Sequence, residues 1–206
     1  MLDHIVYAHP HPEYFAEEFH EVTGVRPVFG GAHPGRGTLN YLAGLENGAY
    51  FEILGPDPEQ SVAPEKTMFR VGELGPEFEP RVLTWAWRVA DLDATATAGR
   101  ERDIDFAHPV DAGRTTPVGR ELQWRFAVRE PLPFDGLQPF LIDWGSSPHP
   151  SEGLESGIRL VEMRAYHPEA EGLRMVFDFL GTNLEVIQGR AHLEVTLATP
   201  KGQVTL

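Results

Sequence analysis

Hydrophobic and polar residues alternate over Leu2-Asp3-His4-Ile5-Val6-Tyr7-Ala8, which predicts an extended strand with Leu2, His4, Val6 and Ala8 on one face. The period then lengthens. Over 13–22, Phe15, Phe19 and Val22 fall on one helical stripe with Glu13, Glu17, Glu18 and Glu21 elsewhere, and Gly24 ends the helix. Short strands follow at Val25–Gly31, Gly37–Ala43 and Ala49–Leu54. Asn47-Gly48, between the last two, is a hairpin signal because both residues tolerate positive φ. Residues 1–58 therefore read as β-α-β-β-β.

The same order recurs. Val82–Val89 is a strand, and Asp91 is the N-cap of a helix running to about Arg102. Ile104–Ala112 is extended, Leu122, Trp124, Phe126 and Val128 alternate on one face, and Gln138–Trp144 closes a second module over 82–145. The connector 59–81, rich in Pro, Gly and Glu, reads as an inter-module linker, with a cover over a pocket as the functional alternative. After a loop at 146–157, a third and shorter module spans 158–206. In its helix Leu173, Val176, Phe177 and Leu180 recur at i, i+3, i+4 and i+7. One helix covers only one face of a module's sheet, so the modules must pair. The expected fold is α+β, with repeated β-α-β-β-β modules paired into curled sheets around a cavity, in one compact unit.

This pattern also sets out candidate chemistry. Glu52 shares a strand face with Tyr50 and Leu54, and a buried carboxylate is costly unless paired, protonated or bound to a metal. His4 lies on the apolar face of the first strand. The two can act as ligands of one divalent ion, for which zinc, nickel, iron and manganese are candidates, or His4 can be a hydrogen-bonded core residue. The second module offers Trp85 where His4 sits in the first, and Asp143 is its nearest carboxylate to the place of Glu52. His9 and His11, each followed by proline, read as flanking a helix start. Arg36 lies between Gly35 and Gly37, but a strand follows, so this loop is not a phosphate cradle.

Composition narrows the partners. The 206 residues carry a formal charge of −14, which argues against nucleic acid or an anionic membrane surface. There is no cysteine, hence no thiolate metal site and no disulfide. The chain opens directly in an amphipathic strand without a basic, apolar leader, so a cytoplasmic location is the expectation.

Four segments carry a family likeness: LDHIVYA, TGVRPVFGGAHPGRGTLNYLAGLENGAYFEILGPDPEQ, PFLIDWG and HLEVTLATPKGQVTL. They resemble the glyoxalase-like branch of the vicinal oxygen chelate superfamily, which includes glyoxalase I and the extradiol dioxygenases. The resemblance implies metal ligands from the first and last strands of paired modules, here His4 and Glu52. It also implies a ligand cavity lined by His33, Arg36, Thr38 and Asn40 beside Glu52, and a homodimer by analogy.

Two readings follow. One is an enzyme of lyase, isomerase or dioxygenase type, using a divalent metal on a small oxygenated substrate. In it Glu52 is ligand or base, His4 a ligand and Arg36 an attractor of a substrate carboxylate. The other is a metal-free protein that encloses an apolar small molecule among Trp85, Trp87, Trp124 and Trp144, with His4, Asn40 and Glu52 as the polar spot. A His4–Glu52 pair that merely ties strands together needs no cavity at all.

Overall fold

The computed structural model describes residues 1–206. In chain order the elements are β1 (Leu2–Ala8), α1 (Pro12–Thr23), β2 (Val28–His33), β3 (Thr38–Gly44), β4 (Tyr50–Pro56), β5 (Arg81–Arg88), α2 (Leu92–Arg100), β6 (Val110–Thr115), β7 (Glu121–Ala127) and β8 (Phe140–Asp143). There follow β9 (Arg159–His167), α3 (Ala170–Leu180), β10 (Glu185–Gln188), β11 (His192–Thr199) and β12 (Gly202–Thr205). The class is α+β. No helix is long and apolar enough to cross a membrane.

Strands β1 to β8 form one mixed sheet of eight, in the order β2-β3-β4-β1-β5-β8-β7-β6. Its centre is the antiparallel pair β1–β5, each flanked by a parallel partner, β4 on one side and β8 on the other. The sheet curls until its edges face each other. Arg114 of β6 reaches across to the carbonyl of Gly30 on β2 and to Asn40 on β3. The first two repeats thus share a single, nearly closed sheet. The third contributes a separate sheet of four, β10-β9-β11-β12.

Local chemistry accounts for the boundaries. Pro12 begins α1, where its missing N–H costs nothing, and Gly24 ends it at φ 81°. The His-Pro pairs ahead of α1 and α3 act as backbone caps: His9 Nδ1 accepts from His11 N at 2.9 Å, and His167 Nδ1 accepts from Glu169 N at 3.0 Å. Asp91 caps α2 through Ala94 N. Asn47 and Gly48 both take positive φ, in a short 3₁₀ turn between β3 and β4.

The convex face of the large sheet carries the main core. Ile5, Tyr7, Phe51 and Trp85 pack there against Phe15 and Phe19 of α1, and against Leu173, Phe177, Val195 and Leu197 of the third sheet and its helix. The Trp85 indole meets Phe177 edge-on at 5.6 Å and donates to Leu137 O at 2.8 Å. Full burial of such a ring stabilises by roughly 2–3 kcal/mol. The concave face forms a second, smaller core with Val6, Leu54, Ala86, Phe126, Phe140 and Ile142.

Two strand irregularities alter the faces expected from simple alternation. The β1–β5 register shifts between Leu2 and His4, so Asp3 is taken inside beside His4 while Leu2 packs on the convex core. A second shift, between Val6 and Tyr7, puts Leu83 on the concave core and leaves Trp85 on the convex one. Trp85 therefore does not occupy the place of His4; Ala86 is the residue paired with His4.

Candidate functional site

The concave face encloses about 50 Å³ of free space, room for a few waters or one small polar group. One wall is polar: His4 from β1, Glu52 from β4, His33 and Asn40 from β2 and β3, and Arg114 from β6. The other is apolar, with Phe126, Phe140, Ile142, Trp124 and Trp144 from the second half of the sheet. Met68 and Phe69 line it too, from the 3₁₀ segment Met68–Leu74. The connector is thus a cover, not a plain linker. Met68 N donates to Arg36 O, Phe69 packs on Phe140, and Phe69 and Arg70 sit at positive φ, a conformation that non-glycine residues adopt at a cost.

Within the polar wall each hydrogen bond fixes the next group. His4 Nδ1 lies 2.7 Å from Asp3 Oδ1, so the ring donates there and turns its Nε2 toward Glu52 Oε2, 3.5 Å away. Asn40 Nδ2 donates to Glu52 Oε1 at 2.6 Å, and Asn40 Oδ1 accepts from Arg114 Nη1 at 3.0 Å. His33 Nδ1 is 2.9 Å from Thr38 Oγ1, and its Nε2 faces Asn40 Nδ2 at 3.4 Å. An amide N–H pointing at Nε2 requires that nitrogen to accept, which makes His33 the neutral Nδ1–H form.

Asp3 is the hub behind this wall. Its side chain is fully buried and takes Arg88 Nε at 2.7 Å and Trp144 Nε1 at 3.1 Å besides His4, with His149 Nε2 at 3.2 Å. Burial alone would raise its pKa; the contacts with His149 and His4 override this and hold the carboxyl well below the usual carboxylate range.

Burial pushes the His33 pKa down from 6.5 to about 4, against the attraction of Glu52 and with the help of Arg114 and Arg36. The unfolded imidazole takes up its proton near 6.5 and the folded one only near 4, so between these values the unfolded chain binds more protons. Stability should therefore fall as pH drops through that window, by roughly 3 kcal/mol. Urea unfolding at stepped pH checks this; a His33→Gln variant should lose the slope, and an unchanged slope would place its cause elsewhere.

Of the residues singled out from sequence, His4, Glu52, His33 and Asn40 meet in the cavity, and Thr38 supports them through His33. Trp144 lines it as well, while Trp85 belongs to the main core on the opposite face. Arg36 is half-buried in the turn before β3 and is not a cavity wall. Asp143 points outward: its Oδ1 caps Gly145 N, and it borders an open groove of about 850 Å³ that shares only Trp124 and Trp144 with the cavity. Asp3, Arg114, Arg88 and His149 were not legible as site residues.

A divalent ion needs three protein donors in a catalytic site. His4 Nε2 and Glu52 Oε2 converge, and Asp3 fixes the His4 ring from behind by accepting its Nδ1–H. Across the β1–β5 pair, His4 pairs with Ala86, which pairs in turn with Phe140, so neither neighbour adds a donor, and no three His, Asp or Glu side chains group to hold an ion. His33 is engaged with Asn40 and Thr38, and the guanidinium of Arg114 already brings positive charge to this wall. The donor set does not fit a resident divalent metal. Plasma mass spectrometry on protein purified without chelator or His-tag should find far less than one equivalent of zinc, nickel, iron or manganese. Near-stoichiometric metal, lost on joint His4→Ala and Glu52→Ala substitution, would overturn this.

A curled, nearly closed sheet built from repeated β-α-β-β-β units is the fold of the vicinal oxygen chelate superfamily. Within it the chain belongs to the family described as glyoxalase-like domain, whose model matches residues 2–178. A hypothetical protein from Staphylococcus aureus has a similar fold, with a TM-score of 0.67 at 14% identity over 99% of this chain and 83% of that one. Methylmalonyl-CoA epimerases overlap more loosely. The Mycobacterium tuberculosis protein gives a TM-score of 0.47 at 21% identity, over 70% of this chain and 87% of that one. The Streptomyces coelicolor protein gives 0.48 at 21%, over 73% and 98%. No curated protein sequence matches.

Proposed function

We propose that the protein is an enzyme of lyase or isomerase type that moves a proton at a carbon next to a carbonyl group in a small oxygenated substrate. Glu52 is the base and His4 its acid partner. The observation that carries this reading is the Asp3–His4–Glu52 chain, which ends in a small, half-apolar cavity. Glu52 takes the proton from carbon; Asn40 holds its other oxygen, so the free oxygen keeps one direction. His4 acts as the imidazolium: its Nδ1–H is committed to Asp3, and its Nε2–H gives a proton to the substrate oxygen as Glu52 takes one from carbon, both being returned when carbon is reprotonated. Proximity and orientation of the two groups are the main contributions of such a site.

A metal-dependent lyase, isomerase or dioxygenase is less well supported, because the donor set stops at two. A sequestering protein for an apolar ligand would use a larger aromatic enclosure; the cavity is small, and Trp85 and Trp87 pack with the convex core. A purely structural His4–Glu52 pair leaves the cavity beside it without a role.

The test is proton exchange. Small aldehydes, ketones and 2-oxo or 2-hydroxy acids are incubated with the protein in D₂O with EDTA, and loss of the C–H signal is followed by NMR. Exchange of at least one compound by wild type and not by Glu52→Gln is the expected result. Exchange by neither, across the panel, would sink the reading.

A further inference from the structure

We propose that Arg114 is the anion-binding residue of the cavity, and that the substrate is a small free acid whose carboxylate, or an equivalent oxyanion, pairs with its guanidinium. The position of the reacting carbon rests on the acid–base reading above; the anion site does not.

Arg114 is 7% exposed and lines the cavity from β6. Both of its hydrogen bonds leave from Nη1, to Gly30 O and to Asn40 Oδ1. Nε and Nη2 have no partner in the chain, although a planar guanidinium offers five donors. Glu52 does not neutralise it directly, since Asn40 stands between them, accepting from Arg114 on one side and donating to Glu52 on the other. A buried cation without a paired anion is expensive to keep. Nε and Nη2 together make a fork that matches the two oxygens of a carboxylate.

The seat is built for this group. A methyl added at Gly30 would collide with Asn40 Oδ1 and press on Arg114 Nη1 at 3.1 Å; one at Gly31 would lie 3.3 Å from the same nitrogen. Gly31 also holds φ at 120°, which suits glycine. The glycine pair is therefore the cradle of the guanidinium. Outside the Trp124–Trp144 pair, the groove carries Asp111, Glu121 and Asp143. Arg125, its one cation, is committed to Asp93 and Asp111. That surface would repel a polyphosphate carrier, which favours a free acid over a carrier-linked one.

The probe is propionate, with propionamide as its uncharged counterpart, titrated by ligand-observed NMR with EDTA present. Wild type should bind propionate at least tenfold more tightly than propionamide. Arg114→Gln should weaken propionate roughly 10- to 100-fold, with Arg114→Lys between them. Glu52→Gln should bind propionate at least as well as wild type, because one negative charge has left the cavity. Equal binding of acid and amide, no binding of either by wild type, or an unchanged Arg114→Gln would overturn the proposal; the wild-type comparison holds even if Arg114→Gln does not fold. Arg114-dependent binding without any proton exchange would uphold the anion site and remove the acid–base reading. Glu52-dependent exchange without an Arg114 effect would do the reverse.

Discussion

Glu52→Gln is expected to slow proton exchange by roughly 10²- to 10⁴-fold, the usual contribution of a positioned general base. The amide keeps the shape of the side chain, and its oxygen can still accept from Asn40, so the cavity keeps its volume. What is lost is the basic oxygen that faces His4 Nε2 at 3.5 Å. Because little packing changes, stability in urea should stay within about 1 kcal/mol of wild type. The two measurements together separate a lost base from a lost fold. A variant that exchanges as fast as wild type would move the base to another residue.

The second large effect is on stability. Asp3→Ala removes one buried carboxylate and strands several donors at once: His4 Nδ1, Arg88 Nε and Trp144 Nε1. Breaking a buried charged network by removing one partner costs roughly 3–5 kcal/mol, because the remaining groups stay buried without compensation. For a chain of this size that is a fall in Tm on the order of 10 °C. Asp3 joins the first strand to Trp144 and to the loop of His149, so the damage should spread over both halves of the large sheet. ¹⁵N spectra of His4 give a second readout: the Nδ1–H bonded to Asp3 should be held strongly in wild type and weakened in Asp3→Asn. A shift of under 1 kcal/mol would mean that solvent or the His149 loop takes over the role of the hub.

Much of this was legible in the chain. The strand–helix–strand order, the caps of α1 and α2 and the stripe of α3 follow from local chemistry, which sequence records directly. His4, His33, Asn40 and Glu52 could be named because each sits in a well-patterned strand or in a segment with a family likeness. What escaped depends on departures from regular alternation. The shift at Asp3 turns a residue that should face away from His4 into its closest partner, and the shift near Leu83 moves Trp85 to the other side of the sheet. Neither irregularity leaves a glycine or proline at the spot to announce it. Arg114 escaped for another reason: β6 is a weakly patterned strand, and its partners Gly30 and Asn40 lie 84 and 74 residues away. The role of the connector was open because Pro, Gly and Glu mark a cover and a linker alike.

The seam where β6 meets β2 has a consequence for how the protein is made. Loop closure over so many residues is entropically costly and is gained only once the strands between are in register. The guanidinium therefore reaches its glycine cradle only once β2, β3 and β6 have been brought together. A growing chain that has produced β1 to β4 already holds His4, His33, Asn40 and Glu52, yet lacks both the cation and the apolar wall. The cavity thus gains its cation and its apolar wall only when the sheet closes, and incomplete chains carry His4 and Glu52 without that enclosure.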